Sequence, residues 1–335
     1  MTRFQRRRPV KQLRRRDPSL RPARAGVLVT LASVMAIAGC ASLPPGQPRL
    51  RAAAAPARPS EVLPTDPLSA ELVTYYANIQ ADRIANRLMR TDSGTSEAPV
   101  SASRLAVTYM EVALREEHAR GPLGFGGSAA SVLRRWEAPV TYALEFGPSV
   151  SREQRLTDRQ HVTDLSRRLA DAARHPVRVA PPGSTQGNFH VLILSESERR
   201  ASGDRLRALV PGIDEGAVSL ITDMPRESFC MVLAFSRDGS AVYSEAVAII
   251  RAEHPNLTRQ ACFHEELTQG LGLASDSNRA RPSIFNDDQE FALLTDQDLL
   301  MLRLHYDTRL TPGMSASRAR PIIFSIASEL AAGES

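Results

Sequence analysis

Apolar residues recur along the chain with two different periods. Between residues 68 and 90, Leu72, Tyr76, Ile79 and Leu88 lie on one loose helical face, and a polar stretch over 91–97 ends the pattern. Leu105, Val107, Met110, Val112 and Leu114 predict a second helix over 101–119. The glycine-rich stretch 121–127 lacks G-x-G-x-x-G spacing and follows no strand, so it reads as a loop and not a nucleotide cradle. From Trp136 onward the period shortens. Residues 140–146 (V-T-Y-A-L-E-F) alternate like a strand, 151–174 form a charged amphipathic helix, and 177–180 and 189–195 (F-H-V-L-I-L-S) read as two further strands. Segments 229–235 and 241–252 pair as a hairpin around Arg237-Asp238-Gly239-Ser240, because Asp-Gly tolerates the positive φ that tight turns need. A helix starts near Thr258, after His254-Pro255, and stops at Gly272. The pattern predicts an α+β domain over 130–312, preceded by a helical cap over 68–129 and followed by a C-terminal helix over 313–335.

The stretch Cys262-Phe263-His264-Glu265-Glu266-Leu267-Thr268-Gln269-Gly270-Leu271-Gly272-Leu273 carries the most chemistry. At 100° per residue, Phe263, Leu267 and Leu271 form one apolar stripe. Glu265 and Gln269, spaced i and i+4, lie together on the opposite side, flanked by Glu266. His264 and Thr268 make another i, i+4 pair at the edge of the stripe. One face of this helix packs, while the other presents acids and an amide.

Composition changes the picture at the N-terminus. The net charge is +5, but residues 1–39 hold ten basic side chains and one acid, Asp17, a local charge of +9 that leaves the rest of the chain at −4. The basicity belongs to the leader, and nucleic acid is excluded as a partner on that ground. Arginines at 6–8 and 14–16 precede an apolar run over 25–39, too short at about 15 residues for the ~20 a spanning helix needs. A basic region, a short apolar region and a small-residue boundary define a secretory signal over 1–39. Its ending, Ile37-Ala38-Gly39-Cys40, resembles the bacterial lipobox, which implies cleavage before Cys40, lipidation of its thiol, and a membrane partner through that anchor. Arg14-Arg15 is followed by Arg16-Asp17-Pro18, a poor fit to the twin-arginine route. Residues 40–67 are rich in proline and alanine and form an extended tether. Ala41 stands where enterobacterial lipoproteins retained at the inner membrane carry aspartate, which favours the outer membrane, periplasmic side. In that oxidising compartment the remaining cysteines, Cys230 and Cys262, invite one disulfide.

The central helix resembles the active helix of the metzincin metallopeptidases, whose H-E-x-x-H-x-x-G-x-x-H/D places two ligands at i, i+4, a general-base glutamate between them and a third ligand beyond a glycine turn. Glu265-Glu266-x-x-Gln269-x-x-Gly272-x-x-Ser275 fits that frame, with Glu266 on the general-base position. Residues 135–142 are similar to the first strand of such domains, 282–286 (P-S-I-F-N) to the turn that holds methionine beneath the metal, and Leu294-Thr295 through Asp307 to the closing helix. The resemblance covers about 130–310 and implies a zincin-like domain with a mixed sheet and a central helix. Chemistry departs from the pattern: the three ligand positions hold Glu265, Gln269 and Ser275, and an amide plus a hydroxyl make a poor set for zinc. Starting the motif at His264 puts Gln269 about 140° away round the helix, whereas Asp276 replaces Ser275 by a one-residue shift. The chain from about residue 85 also resembles a family of exported bacterial proteins classed as a domain of unknown function, through 88–92 (L-M-R-T-D), 248–255, 262–273 and 281–294.

These readings predict a non-catalytic binding or envelope-assembly module with no resident cofactor, its cleft taking an extended peptide or envelope-protein segment by strand addition. The alternative is a metallopeptidase-like hydrolase, using zinc or another divalent metal, with Glu266 as general base. Arg279 and Arg281, just beyond the helix, are the nearest candidates to neutralise Glu265 and Glu266. His254, His264 and His305 lack diagnostic spacing and read as hydrogen-bonded histidines, and Asp287, Asp288 and Glu290 as a solvated turn. Ser195 and Ser197 sit in no G-x-S-x-G elbow. Mass spectrometry of the mature protein is expected to show diacylglyceryl-cysteine at Cys40 as the N-terminal residue; a chain beginning elsewhere contradicts the leader assignment.

Overall fold

The computed structural model describes residues 66–333 except 96, 98, 117–119, 122–123, 126–128 and 287. The signal segment, Cys40, nearly all of the tether and Asp287 lie outside the described residues. Among the described residues no helix is long and apolar enough to cross a membrane.

Five strands form one mixed sheet: β1 (Val140–Phe146), β2 (Val177–Val179), β3 (Phe189–Leu194), β4 (Cys230–Ser236) and β5 (Tyr243–Arg251). Their spatial order is β2-β1-β3-β5-β4, with β1, β2, β3 and β5 parallel and β4 antiparallel at the edge. The β4–β5 turn takes φ of 55° at Asp238 and 69° at Gly239, as its Asp-Gly pair predicts. Helices α1 (Pro67–Ala85), α2 (Ala102–Ala113) and α3 (Arg152–Ala173) come first. Three short helices, α4 (Glu196–Arg200), α5 (Gly203–Leu209) and α6 (Glu215–Thr222), separate β3 from β4. The central helix α7 (Asn256–Gln269) follows β5, and α8 (Asp296–His305) and α9 (Ala316–Gly333) close the chain. The fold is a mixed α+β arrangement.

Alternate residues of the inner strands feed two cores. Phe189, Val191 and Ile193 of β3 and Ala246, Ala248 and Ile250 of β5 join α2, α3, α7, α8 and α9. Leu192, Val247 and Ile249 face the other way, onto α5 and α6. Strands buried on both faces read as continuous apolar runs, which is how 189–195 and 246–250 appear in the sequence.

The ends of the first two helices are corrected, and three short helices are added. The helix predicted over 68–90 ends at Ala85, because Arg87 and Met89 take φ of 63° and 58°, which no α-helix continues. The helix predicted over 101–119 ends at Ala113, and 115–116 pairs with 129–130 while 120–121 pairs with 124–125, inside the stretch read as a loop. Helices α4–α6 have no counterpart in the sequence reading. They are one or two turns long, too short for a period to register, and their local signal is capping: Ser195 with Glu198 forms a capping box and Asp214 caps α6.

The expected disulfide joins Cys230 to Cys262, with Cα atoms 5.8 Å apart, and ties the start of β4 to α7. Chain-entropy arguments for a loop of this length give about 3–4 kcal/mol.

Burial lowers the pKa of all six described histidines, His161, His175, His190, His254, His264 and His305, with His254 and His305 taken down to about 3 and His264 well below its ordinary value. Burial raises Asp158, Glu245 and Asp298, the last to about 6. A histidine held neutral in the fold contributes stability that is present above its unfolded pKa and lost as the pH falls. A carboxyl with a raised pKa works in the opposite direction. His254, His264 and His305 are held well below their unfolded value and Glu196 is lowered to about 2, so unfolding takes up protons on acidification and stability falls with pH. Urea denaturation between pH 7.5 and 4.5 is expected to show stability falling steeply below about pH 6; a flat profile contradicts the burial of neutral imidazoles.

Candidate functional site

The C-terminal end of α7 is fixed by aromatic donors. Trp136 Nε1 donates to the Gly270 carbonyl at 2.8 Å, the Tyr142 hydroxyl to Leu267 O at 3.3 Å and the Tyr306 hydroxyl to Leu271 O at 2.9 Å. These groups satisfy carbonyls that a helix end otherwise leaves without partners. Gly272 follows at φ 125°, where a Cβ would sit 2.1 Å from His305 Nε2, so glycine is required by both backbone and space. At the other end, the Gln80 side chain of α1 accepts hydrogen bonds from the Thr258 amide and hydroxyl, both at 3.0 Å.

Held this way, α7 turns Cys262, Glu265, Glu266 and Gln269 toward one side. Gln269 Nε2 donates to Asp276 Oδ1 at 3.1 Å, and Glu265 and Asp276 line a common cavity of about 110 Å³. The disulfide, Arg83, Met89 and Asn286 complete its wall. Glu266 is buried, as is Ser275. The 282–286 turn lies against this site, with Ile284 and Asn286 in the cavity wall and Phe285 fully buried in the main core.

A buried carboxylate fixes that turn. Asp298 accepts from the Ser283 hydroxyl at 2.5 Å, the Ile284 amide at 3.2 Å, the Thr295 amide at 2.8 Å and the Thr295 hydroxyl at 2.9 Å. Burial pushes its pKa up to about 6, against the pull of those donors. The same side chain closes the capping box with the N-cap Thr295 of α8, and so couples the turn to the closing helix.

His264 does not reach the cavity. Its Nδ1 accepts the Leu294 amide at 2.9 Å and its Nε2 lies 3.1 Å from His161 Nε2 on α3. His254 bonds Phe229 O, and His305 bonds Tyr109 and Arg134 O, so the three histidines occupy separate places and form no common site. The expected arginine partners are also corrected. Arg279 pairs with Glu111, and Arg281 with Glu290 and Glu97, which leaves neither to neutralise the α7 acids. Arg83 of α1, stacked 4.5 Å from the Phe229 ring centroid, is a cation in electrostatic contact with Glu265. Glu290 is held below the usual carboxylate range by Arg281 and Arg90, and Asp288 accepts its amide at 2.9 Å.

Sequence reasoning missed the N-terminal wall. After α1, the Met89 amide donates to Gln289 O at 3.0 Å, Arg90 N to Glu290 O at 2.7 Å and Ala292 N to Arg90 O at 2.7 Å, a parallel bridge of Arg90 with Phe291. Met89 is 5% exposed. The run 88–92 is distinctive in the sequence, yet nothing in it names residues 289–292 as its partner.

Among the described residues, one group of metal-ligating types comes together: Cys230, Glu265 and Glu266, whose ligand atoms lie within 4.8 Å of one another. The metzincin zinc does not fit this site. No imidazole belongs to the group, Gln269 is engaged with Asp276, and the Cys230 sulfur is spent in the disulfide.

No curated protein matches the chain in a sequence search. A family model described as Protein of unknown function (DUF2927) matches residues 102–325, from α2 into α9 and across the whole sheet, α7 and the 282–286 turn. The chain therefore belongs to the DUF2927 family.

Proposed function

We propose that this protein is a lipid-anchored module on the periplasmic side of the outer membrane, whose zincin-like domain binds an extended peptide or envelope-protein segment without cutting it. The order of parts supports a zincin-like reading: first strand, long helix, hairpin, central helix, a turn packed beside it, then a closing helix. The observation that carries the binding reading is the parallel bridge of Arg90 with Phe291 and the backbone hydrogen bonds around it. The cleft wall already takes a stretch of chain by backbone hydrogen bonds, beside a cavity lined by Glu265 and Asp276. Such pairing supplies affinity through the main chain and leaves specificity to neighbouring pockets. The acids and Arg83 give the cavity polar groups for orientation, while its donor set suits recognition better than Lewis-acid chemistry.

The resident segment competes with any incoming one, so loosening it strengthens binding. Arg90 anchors it through Asp92, Glu97 and Glu290. A library of labelled extended peptides from envelope proteins is expected to yield ligands that bind the mature chain uncleaved, with Arg90→Ala raising their affinity about tenfold, or 1.4 kcal/mol. Glu266→Gln is expected to change affinity or stability. Peptide cleavage by the wild type that falls by orders of magnitude in Glu266→Gln establishes the hydrolase reading, with Glu266 as general base, and overturns this one. Affinities identical in wild type and Arg90→Ala remove the resident segment from the account.

A further inference from the structure

The corner where β4 meets α7 places a disulfide against two carboxylates. Cys262, Glu265 and Glu266 stand at i, i+3 and i+4 on α7 and share one face. Cys230 enters from the strand, and its sulfur lies within 4.8 Å of carboxylate oxygens of both glutamates. Cys230 and Glu265 are half-buried and both line the cavity, together with Cys262. In the bonded form each sulfur is neutral and shares its valence with the other, so the two carboxylates are the group's anionic donors.

We propose that reduction of the Cys230–Cys262 bond turns this corner into a site for a thiophilic divalent cation such as zinc, held by the Cys230 thiolate, Glu265 and Glu266. The reductant is a dithiol. It passes two electrons to the disulfide and becomes a disulfide itself, the Cys230–Cys262 bond breaks, and each cysteine sulfur takes one proton. The cation then displaces the Cys230 proton to solvent, forming a metal–sulfur bond. Ligand atoms around a tetrahedral zinc at ordinary bond lengths lie about 3.5 Å apart, so the present spread closes by side-chain rotation of an ångström or so. Mixed thiolate and carboxylate donors suit zinc, with water as the fourth ligand. This is not the metzincin frame, in which positions 269 and 275 contribute. The metal competes with the partners these carboxylates already have, Arg83 at Glu265 among them. The inference depends on this side-chain set and not on peptide binding, so each stands or falls without the other.

The test titrates the purified chain with cobalt(II) and zinc, with and without a non-coordinating phosphine reductant, following circular dichroism alongside. The reduced wild type is expected to bind about one ion per chain and to show a sulfur-to-cobalt charge-transfer band, with affinity at least about 100-fold above that of the oxidised form. Cys262→Ser, which leaves Cys230 a free thiol, is expected to give the band without reductant. Cys230→Ser with reductant is expected to lose at least tenfold in affinity, and Glu265→Gln likewise. A folded, reduced wild type with no thiolate band, or an undiminished band in Cys230→Ser, overturns the proposal. Should reduction unfold the chain, added zinc is expected to restore the helical signal; failure to do so with both the reduced wild type and Cys262→Ser overturns it equally.

Discussion

The fold depends on how α7 ends. A buried helix terminus exposes carbonyls that water cannot reach, and each one left without a donor costs on the order of 1–3 kcal/mol. Here three aromatic side chains supply the donors: Trp136 ahead of β1, Tyr142 within β1 and Tyr306 after α8. They reach α7 from two distant parts of the chain, so the first strand and the closing helix must be in place for the terminus to be satisfied. The position and rotation of α7 follow from that, and with them the direction in which Cys262, Glu265, Glu266 and Gln269 point.

The cleft is a consequence of this placement. The disulfide fixes the N-terminal half of α7 to the edge strand, and Asp298 holds the 282–286 turn against the cavity. The remaining side is closed by α1 and the segment after it, which bring Arg83, Met89 and the Arg90 ion-pair network. The result is a small cavity whose wall includes two carboxylates, Arg83, a disulfide and the apolar side chains of Met89, Phe229 and Phe291. That inventory suits orientation of a bound chain, and it keeps the sulfur donors out of metal chemistry for as long as they are bonded to each other.

What the sequence discloses follows from the range of the interactions. The strands, α3 and α7 are legible because their periods are carried by consecutive residues, and the Asp238-Gly239 turn because its backbone demand is local. The shared face of Glu265 and Gln269 is likewise a matter of helical geometry. Arg83 and Met89 are invisible because their roles arise from contacts across the whole domain: Gln80 meets Thr258 178 residues away, and Ser69 meets Glu253 across 184. Arg279 and Arg281 look like partners of the α7 acids by proximity in sequence, but the chain turns after Gly272 and delivers them to Glu111, Glu97 and Glu290 instead. His264 reads from the sequence as a hydrogen-bonded histidine, and its partners are again distant. A helix position next to the acids faces α3, where His161 and the Leu294 amide occupy both ring nitrogens.

The donor set around α7 is the point on which binding and hydrolysis separate. Elemental analysis of the native, disulfide-bonded chain, purified without chelators and equilibrated with zinc before gel filtration, addresses it directly. The account predicts that no zinc co-elutes with the oxidised protein, because two carboxylates and a spent sulfur make no competent site. A stoichiometric zinc that survives filtration with the disulfide intact, and is lost in Glu265→Gln, contradicts it.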